Sequence, residues 1–236
     1  MTRVLCLSAH PDDVEVYMGG ALMGFCEQGW DVLVWIATHG EKGRLQPRTG
    51  TRVDESRTAL CSLGCRMQVE GLEDGALARS PDLERILRDR IAEERPDLLF
   101  APHRSDRHVD HAAIGACVAG IKIARERPLW HWLDAAPACE PSHFLDLGGS
   151  LAAKLALIGY HKSQIPGPGG RRDHLPEGRD LLQRAEHRDR GYGIQLGRPF
   201  VEPFLASGPR AGEVPCILES VQGFVRKGSS RTGGSS

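Results

Sequence analysis

Val4-Leu5-Cys6-Leu7-Ser8-Ala9-His10-Pro11-Asp12-Asp13 is the stretch that decides the fold. Its first five residues form a compact apolar run with the length of a buried β-strand. The run ends abruptly in a proline-containing loop that carries a histidine and two carboxylates. The same alternation recurs downstream. Gly19 to Gln28 has helical periodicity and stops at Gly29, and Asp31 to Thr38 (DVLVWIAT) is a β-branched run that reads as a second buried strand. Thr51 to Leu63 reads as a helix closed by Gly64, and Met67 to Glu70 as a short strand. Pro81 to Glu94 is a helix with Pro96 beyond its end; Leu98 to Ala101 is a strand and His111 to Ala124 a helix. Repeated βα units predict an α/β fold, a mostly parallel sheet with helices on both faces.

Such a sheet binds its ligands outside the carboxyl ends of its strands. The loops after Val4–Ser8, Asp31–Thr38 and Leu98–Ala101 should therefore share one edge. They carry His10-Pro11-Asp12-Asp13, His39-Gly40-Glu41, and the segment from His103 to His111. Three ionisable clusters converge there.

The bulk properties narrow the alternatives. The 236 residues suit one domain, expected over 1–227, with a Gly/Ser-rich tail at 228–236 expected to be disordered. Thirty basic residues against 31 acidic ones give a formal charge of -1, which offers nothing to nucleic acid or to an anionic membrane. No apolar run reaches the roughly 20 residues needed to cross a bilayer. The first eight residues read as a strand rather than a secretion signal, so a soluble cytoplasmic protein is expected. The seven cysteines are odd in number and have no Cys-x-x-Cys spacing. They read as small buried hydrophobes in a reducing compartment. Trp130 and Trp132 fall on an apolar alternating run and read as core. The last third is less regular, with a Pro/Gly-rich loop at Ile165 to Gly170.

A hydrolytic zinc site needs about three ligands from His, Asp or Glu and one position open to water. His10 and Asp13, three apart on a tight loop, can reach one ion. In the Asp12-Asp13 pair, one carboxylate can bind metal while its neighbour acts as a base. A third ligand from His108-Val109-Asp110-His111 completes a His/Asp/His set. A nucleotide-binding reading is weak, because Gly-x-Gly-x-x-Gly is missing and the carboxylates in the first loop would repel a pyrophosphate.

Ala9-His10-Pro11-Asp12-Asp13 with Glu15 and Gly19-Gly20, and His108-x-Asp110-His111, resemble the PIG-L/LmbE family of zinc-dependent de-N-acetylases. The resemblance continues through Thr38-x-Gly40-Glu41, Arg52-x-x-Glu55, Asp74-Gly75, Lys154 and His161-x-Ser163-Gln164. It implies a Rossmann-like fold with zinc, or another divalent transition metal, on His10, Asp13 and His111. Asp12 is then the general base for a zinc-bound water that attacks the amide of an N-acetylated amino sugar. A protonated His108, held by Asp110, would stabilise the oxyanion. Arg52 is the implied substrate contact, while His161 and Glu41 are further candidates for the pocket; His103 and His143 are assigned no role. The alternatives are a metal-bound carbohydrate-binding or regulatory protein without turnover, and a deacylase acting on a non-sugar amide. A homo-oligomer is allowed for.

Overall fold

The computed structural model describes residues 1–43, 50–122, 129–134, 139–166, 179–207, 221 and 223–226. Cys216, the tail at 228–236 and much of the Pro/Gly-rich loop lie outside the described residues. The strands are β1 (Arg3–Ser8), β2 (Asp31–Thr38), β3 (Arg66–Leu72), β4 (Leu98–Pro102), β5 (Leu129–Trp132), β6 (His143–Asp146), β7 (Val201–Ser207) and β8 (Phe224–Arg226). The helices are α1 (Asp13–Glu27), α2 (Thr51–Ser62), α3 (Leu83–Glu94), α4 (Val109–Gly120), α5 (Leu151–Ile158) and α6 (Leu181–Gln195).

All eight strands join one sheet in the order β3-β2-β1-β4-β5-β7-β6-β8. The pairings among β1 to β5 are parallel, whereas β7 joins β5 antiparallel and β6 and β8 follow antiparallel. The fold is thus α/β and mostly parallel, as the βα alternation predicts. The parallel part has the 3-2-1-4-5 order of a dinucleotide-binding half, in which winding reverses between β1 and β4. A crevice opens at such a switch point because the connections leave the two strands on opposite faces.

Strand periodicity explains the two cores. Val4 and Cys6 of β1, Val34 and Ile36 of β2, and Phe100 of β4 point to one face, against α1, α5 and α6. Leu5 and Leu7, Leu33 and Trp35, and Leu99 point to the other, against Leu87 and Ile91 of α3 and Ile114 and Val118 of α4. Because helices cover both faces, the central strands are apolar throughout. Trp130 and Trp132 are fully buried, as their alternation implies. The cysteines fit their expected role less uniformly: Cys6 and Cys65 are buried, but Cys61 is exposed and Cys26, Cys117 and Cys139 are partly exposed.

Two features differ from the sequence reading. α1 begins at Asp13 rather than Gly19 and kinks at Met18, whose φ of -144° and ψ of 29° are non-helical. At the kink the N–H groups of Gly20 and Ala21 donate to the Glu202 carboxylate of β7, at 2.7 and 2.9 Å. The helix restarts there with a carboxylate at its new N-terminus, where the helix dipole favours negative charge. Glu202 also pairs with Lys154 Nζ at 2.8 Å, which reaches Asp189 at 2.6 Å, and Arg188 Nε donates to Asp189 at 2.8 Å. All four side chains are buried, and the two cations and two carboxylates balance. The second difference lies in the last third, whose described residues include β7 and α6, the latter opening on a capping box between Asp180 and Gln183.

Gly115 of α4 lets that helix close on the segment leaving β4. A Cβ there would lie 2.5–2.7 Å from backbone atoms of Arg104, His103 and Pro102. Gly115→Ala is expected to destabilise the protein by about 1–3 kcal/mol in urea unfolding, because backbone cannot swing aside as a side chain would. An unchanged midpoint would show that the β4 loop yields freely. Glu202→Ala leaves Lys154 overcharged and two helix N–H groups unpaired, so a loss of about 3–5 kcal/mol is expected in the same measurement.

Candidate active site

The loops after β1 and β4, on either side of the switch point, meet at the carboxylate of Asp13. Its Oδ2 accepts the backbone N–H groups of Ala9 (3.0 Å) and His10 (2.8 Å), and its Oδ1 lies 3.1 Å from His111 Nε2. His10 Nδ1 is 3.6 Å from Asp13 Oδ2. Donors bonded at about 2.1 Å to a tetrahedral ion stand roughly 3.4 Å apart, so these two separations suit ligands of one ion. The far ring nitrogens face carboxylates. His10 Nε2 is 3.1 Å from Asp74 Oδ1 and 3.4 Å from Asp110 Oδ2. His111 Nδ1, which makes no hydrogen bond, is 3.3 Å from Asp106 Oδ2. Imidazole ligands of a metal have carboxylates behind them in this way, which sets the tautomer and raises basicity. The donor set therefore fits a divalent transition ion. The structure also brings His108 close: ligand atoms of His10, His108 and His111 lie within 4.8 Å of one another.

The electrostatics describe a site that attracts cations. Burial opposes charge on His10, yet Asp13, Asp110 and Asp74 hold its pKa well above the ordinary imidazole value. Likewise His111 is raised to about 9, against burial, chiefly by Asp13 and Asp106. Asp13 is held well below the usual carboxylate range by His111 and His10 despite its burial, and Asp74 is lowered to about 2, mainly by its hydrogen bond from His10. A field that favours positive charge here also favours a metal cation, which would have to displace those protons to bind.

Asp12 occupies a strained backbone position, with φ of 113°. A non-glycine residue in this region carries strain of order 1–3 kcal/mol, and such strain gathers at functional sites. Its Oδ2 accepts from Arg52 Nη2 at 2.7 Å. Burial pushes the Asp12 pKa up; Arg52 opposes that and Asp13 reinforces it. The Arg52 guanidinium also donates to the carbonyls of Gly40 (2.8 Å) and Pro11 (3.0 Å). Arg52 lines the cavity, but its fork is turned toward the Asp12 loop, which makes it a brace for that loop. No ion pair joins it to Glu55.

Asp110 departs from its expected part. Its carboxylate accepts from Gly75 N (2.7 Å) and Leu77 N (3.0 Å) and faces His10 rather than His108. What reaches His108 is the Asp110 backbone N–H, which donates to Nδ1 at 3.3 Å as the cap of α4. Nδ1 is thus an acceptor, so the proton of the neutral ring belongs on Nε2. Partial desolvation, with His111 and His10 nearby, lowers the His108 pKa, which disfavours the imidazolium expected from sequence.

The cavity over these groups has a volume of about 430 Å³ and is lined by His10, Asp12, Asp13, Arg52, His108 and His111. Three sequence candidates do not line it: Asp110, which faces His10, Glu41 and His161. Glu41 is exposed and faces His39 at 3.1 Å. His161 is buried, its Nε2 3.0 Å from Glu15, whose carboxylate also accepts from Ser56 of α2. Ser163 donates to Glu55 of α2 through its N–H (2.8 Å) and hydroxyl (2.6 Å). The Arg-x-x-Glu and His-x-Ser-Gln segments are therefore one contact that fixes the helix carrying Arg52.

Asp74, Tyr17 and Arg184 are among the cavity-lining residues to which the sequence assigned no role. Asp74 follows β3, so the rule that placed the other loops at this edge would have found it. Tyr17 stacks on Trp132, with ring centroids 4.5 Å apart, and meets His111 edge-on at 6.0 Å. Arg184 of α6 gave no sequence signal.

Comparison with known proteins places this geometry. The model of the family described as PIG-L, GlcNAc-PI de-N-acetylase, matches residues 5–122. The diacetylchitobiose deacetylase of Thermococcus kodakarensis is 24% identical over 189 residues, covering 70% of this chain and 70% of that protein. Among solved structures, the N,N'-diacetylchitobiose deacetylase of Pyrococcus horikoshii superposes with a TM-score of 0.72 at 22% identity, covering 87% of this chain and 84% of that one. The hydratase GalB of Pseudomonas putida, which acts on 4-carboxy-2-hydroxymuconate, has a TM-score of 0.70 at 19% identity over 89% and 98%. The fold alone thus serves more than one chemistry. The family match spans half of the chain and contains both halves of the Asp13 site, so the chain belongs to the PIG-L, GlcNAc-PI de-N-acetylase family and is an N-deacetylase.

Proposed function

We propose that the protein hydrolyses the acetamide of an N-acetylated amino sugar, with one zinc ion held by His10, Asp13 and His111. The observation that carries this reading is Asp13 set between His10 and His111, with the strained Asp12 beside it. Two imidazoles and a carboxylate suit zinc, and when bound the ion would polarise the amide carbonyl and acidify a water molecule.

The protein's own groups do the rest. Asp12 takes the proton of the attacking water as general base; Arg52 fixes the carboxylate so that one oxygen is committed to the guanidinium and the other is left for the water. Its buried setting favours keeping that proton until the amine departs. His108, capped on Nδ1 by Asp110 N–H, presents Nε2–H to the developing oxyanion as a neutral donor. Asp110 acts on His10 instead, and with Asp74 holds that ring against the metal. A second reading puts His108 on the metal as a third imidazole, because its ligand atom lies within 4.8 Å of those of His10 and His111. Residues 1–227 are read as one catalytic domain.

Elemental analysis should find about one zinc per chain, lost in Asp13→Asn and retained in His108→Gln; zinc lost from the latter would favour the second reading. Asp12→Asn should keep the metal while kcat for acetate release from diacetylchitobiose or a related N-acetylglucosamine conjugate falls roughly 10²- to 10⁴-fold. Full activity in that variant would remove Asp12 as base. A metal-replete protein that releases acetate from no N-acetyl sugar in a broad panel would overturn the deacetylase reading.

A further inference from the structure

The cavity wall holds a cation that neither the reaction nor the fold accounts for. Five basic side chains line the cavity: Lys42, Arg52, Arg107, Arg179 and Arg184. Arg52 is committed to Asp12 and two carbonyls, and Lys42 Nζ pairs with Glu73 at 3.1 Å. Arg179 has a partner of its own. Arg107 is exposed. Arg184 is different: it is half-buried, yet among the described residues no hydrogen bond or ion pair holds its guanidinium.

Its position is also of the wrong sign for its helix. Arg184 stands four residues beyond Asp180, the cap of α6, where the helix dipole disfavours a cation. Tyr17 and Asp134 line the cavity with Arg184, the Asp134 carboxylate supports its charge, and Asp12 and Asp13 act on it more weakly. Tyr17 is the residue whose ring lies 6.0 Å from that of His111. Arg184 thus lines the same cavity as Tyr17 and His111, on the side formed by α6, where a substituent of the amino sugar rather than its acetamide would lie.

We propose that Arg184 is a specificity-determining residue that takes an anionic group, a carboxylate or a phosphate, on the substituent of the N-acetylated sugar. This rests on the deacetylase reading of the site. A guanidinium offers two parallel N–H donors to either anion, and a half-buried one gains more from that pairing than a hydrated surface arginine does. The acidic residues around His10 and His111 repel such a group from the reaction centre, so the substrate is held in one direction: acetamide toward the metal, anion toward α6.

The test uses three glycosides of N-acetylglucosamine that differ only at the end of the aglycone: carboxymethyl, its uncharged methyl ester, and phosphonomethyl. For the zinc-loaded protein, kcat/KM for the carboxymethyl or phosphonomethyl glycoside should exceed that for the ester by about tenfold or more, mainly through KM. The advantage should shrink as salt is raised. The better of the two anions names the group. Arg184→Gln should bring the ratio of anionic to ester glycoside to about one, and Arg184→Lys should keep part of it, with circular dichroism reporting that both fold. Equal kcat/KM for acid and ester in the unmodified protein, or a ratio that survives Arg184→Gln, overturns the proposal. If no glycoside is hydrolysed the deacetylase reading fails, and calorimetric titration with the same three compounds decides the matter separately. Tighter binding of an anionic glycoside that is lost in Arg184→Gln supports the role of Arg184, whereas equal binding of all three refutes it.

Discussion

Everything in the site hangs on one buried carboxylate. Asp13 is taken from water, which is tolerable only if its charge is met by donors or cations. The chain meets it from three directions: the N–H groups of Ala9 and His10, the ring of His10, and the ring of His111 from the far loop. The first anchor fixes the β1 loop on itself, and the last ties it to α4 across the switch point. That single group therefore sets the distance between the two halves of the site. Asp12 next to it takes a strained φ because the chain must turn sharply between Pro11 and a helix that starts at Asp13 itself.

How much of this was legible follows from what kind of interaction carried each part. The parallel core was readable because its signals are local: apolar runs for β1, β2 and β4, and glycine or proline stops for the helices. The convergence of His10–Asp13 and His103–His111 followed from strand topology. Asp110 does not hold His108 with its carboxylate, and Arg52 lines the cavity as a substrate contact would while also bracing Asp12, because type and spacing say that a guanidinium or a carboxylate is available but not where it points. Arg52 turned toward Asp12, and Asp110 toward His10 and two backbone N–H groups. Glu41 lay on the right loop but faces His39 and solvent instead. The C-terminal third was the least readable, since β6, β7 and α6 are specified by long-range contacts such as Glu202 to Gly20.

That long-range part is not remote from the chemistry. The buried set of Lys154, Arg188, Asp189 and Glu202 fixes α1 at its kink, immediately after Tyr17. Arg188 also lies over the Tyr17 ring, 5.2 Å from its centroid, while the other contacts of that ring are Trp132 and His111. Tyr17, just before the glycine pair, is thus the side chain that links the buried charges to the ring of His111.

The same geometry separates the two histidines of the His-x-Asp-His segment. His111 is buried against Asp13 and Asp106 and is held basic, which suits a nitrogen that must compete for a metal ion. His108, three residues earlier at the helix cap, is the exposed member, and its Nδ1 is used by the helix. A ring with one nitrogen fixed as acceptor has only one proton to offer while neutral, and it offers it from Nε2. A permanent imidazolium beside two further imidazoles would oppose the binding of a divalent ion there through like-charge repulsion. Under the proposed function, a neutral His108 would donate to the growing oxyanion without that penalty.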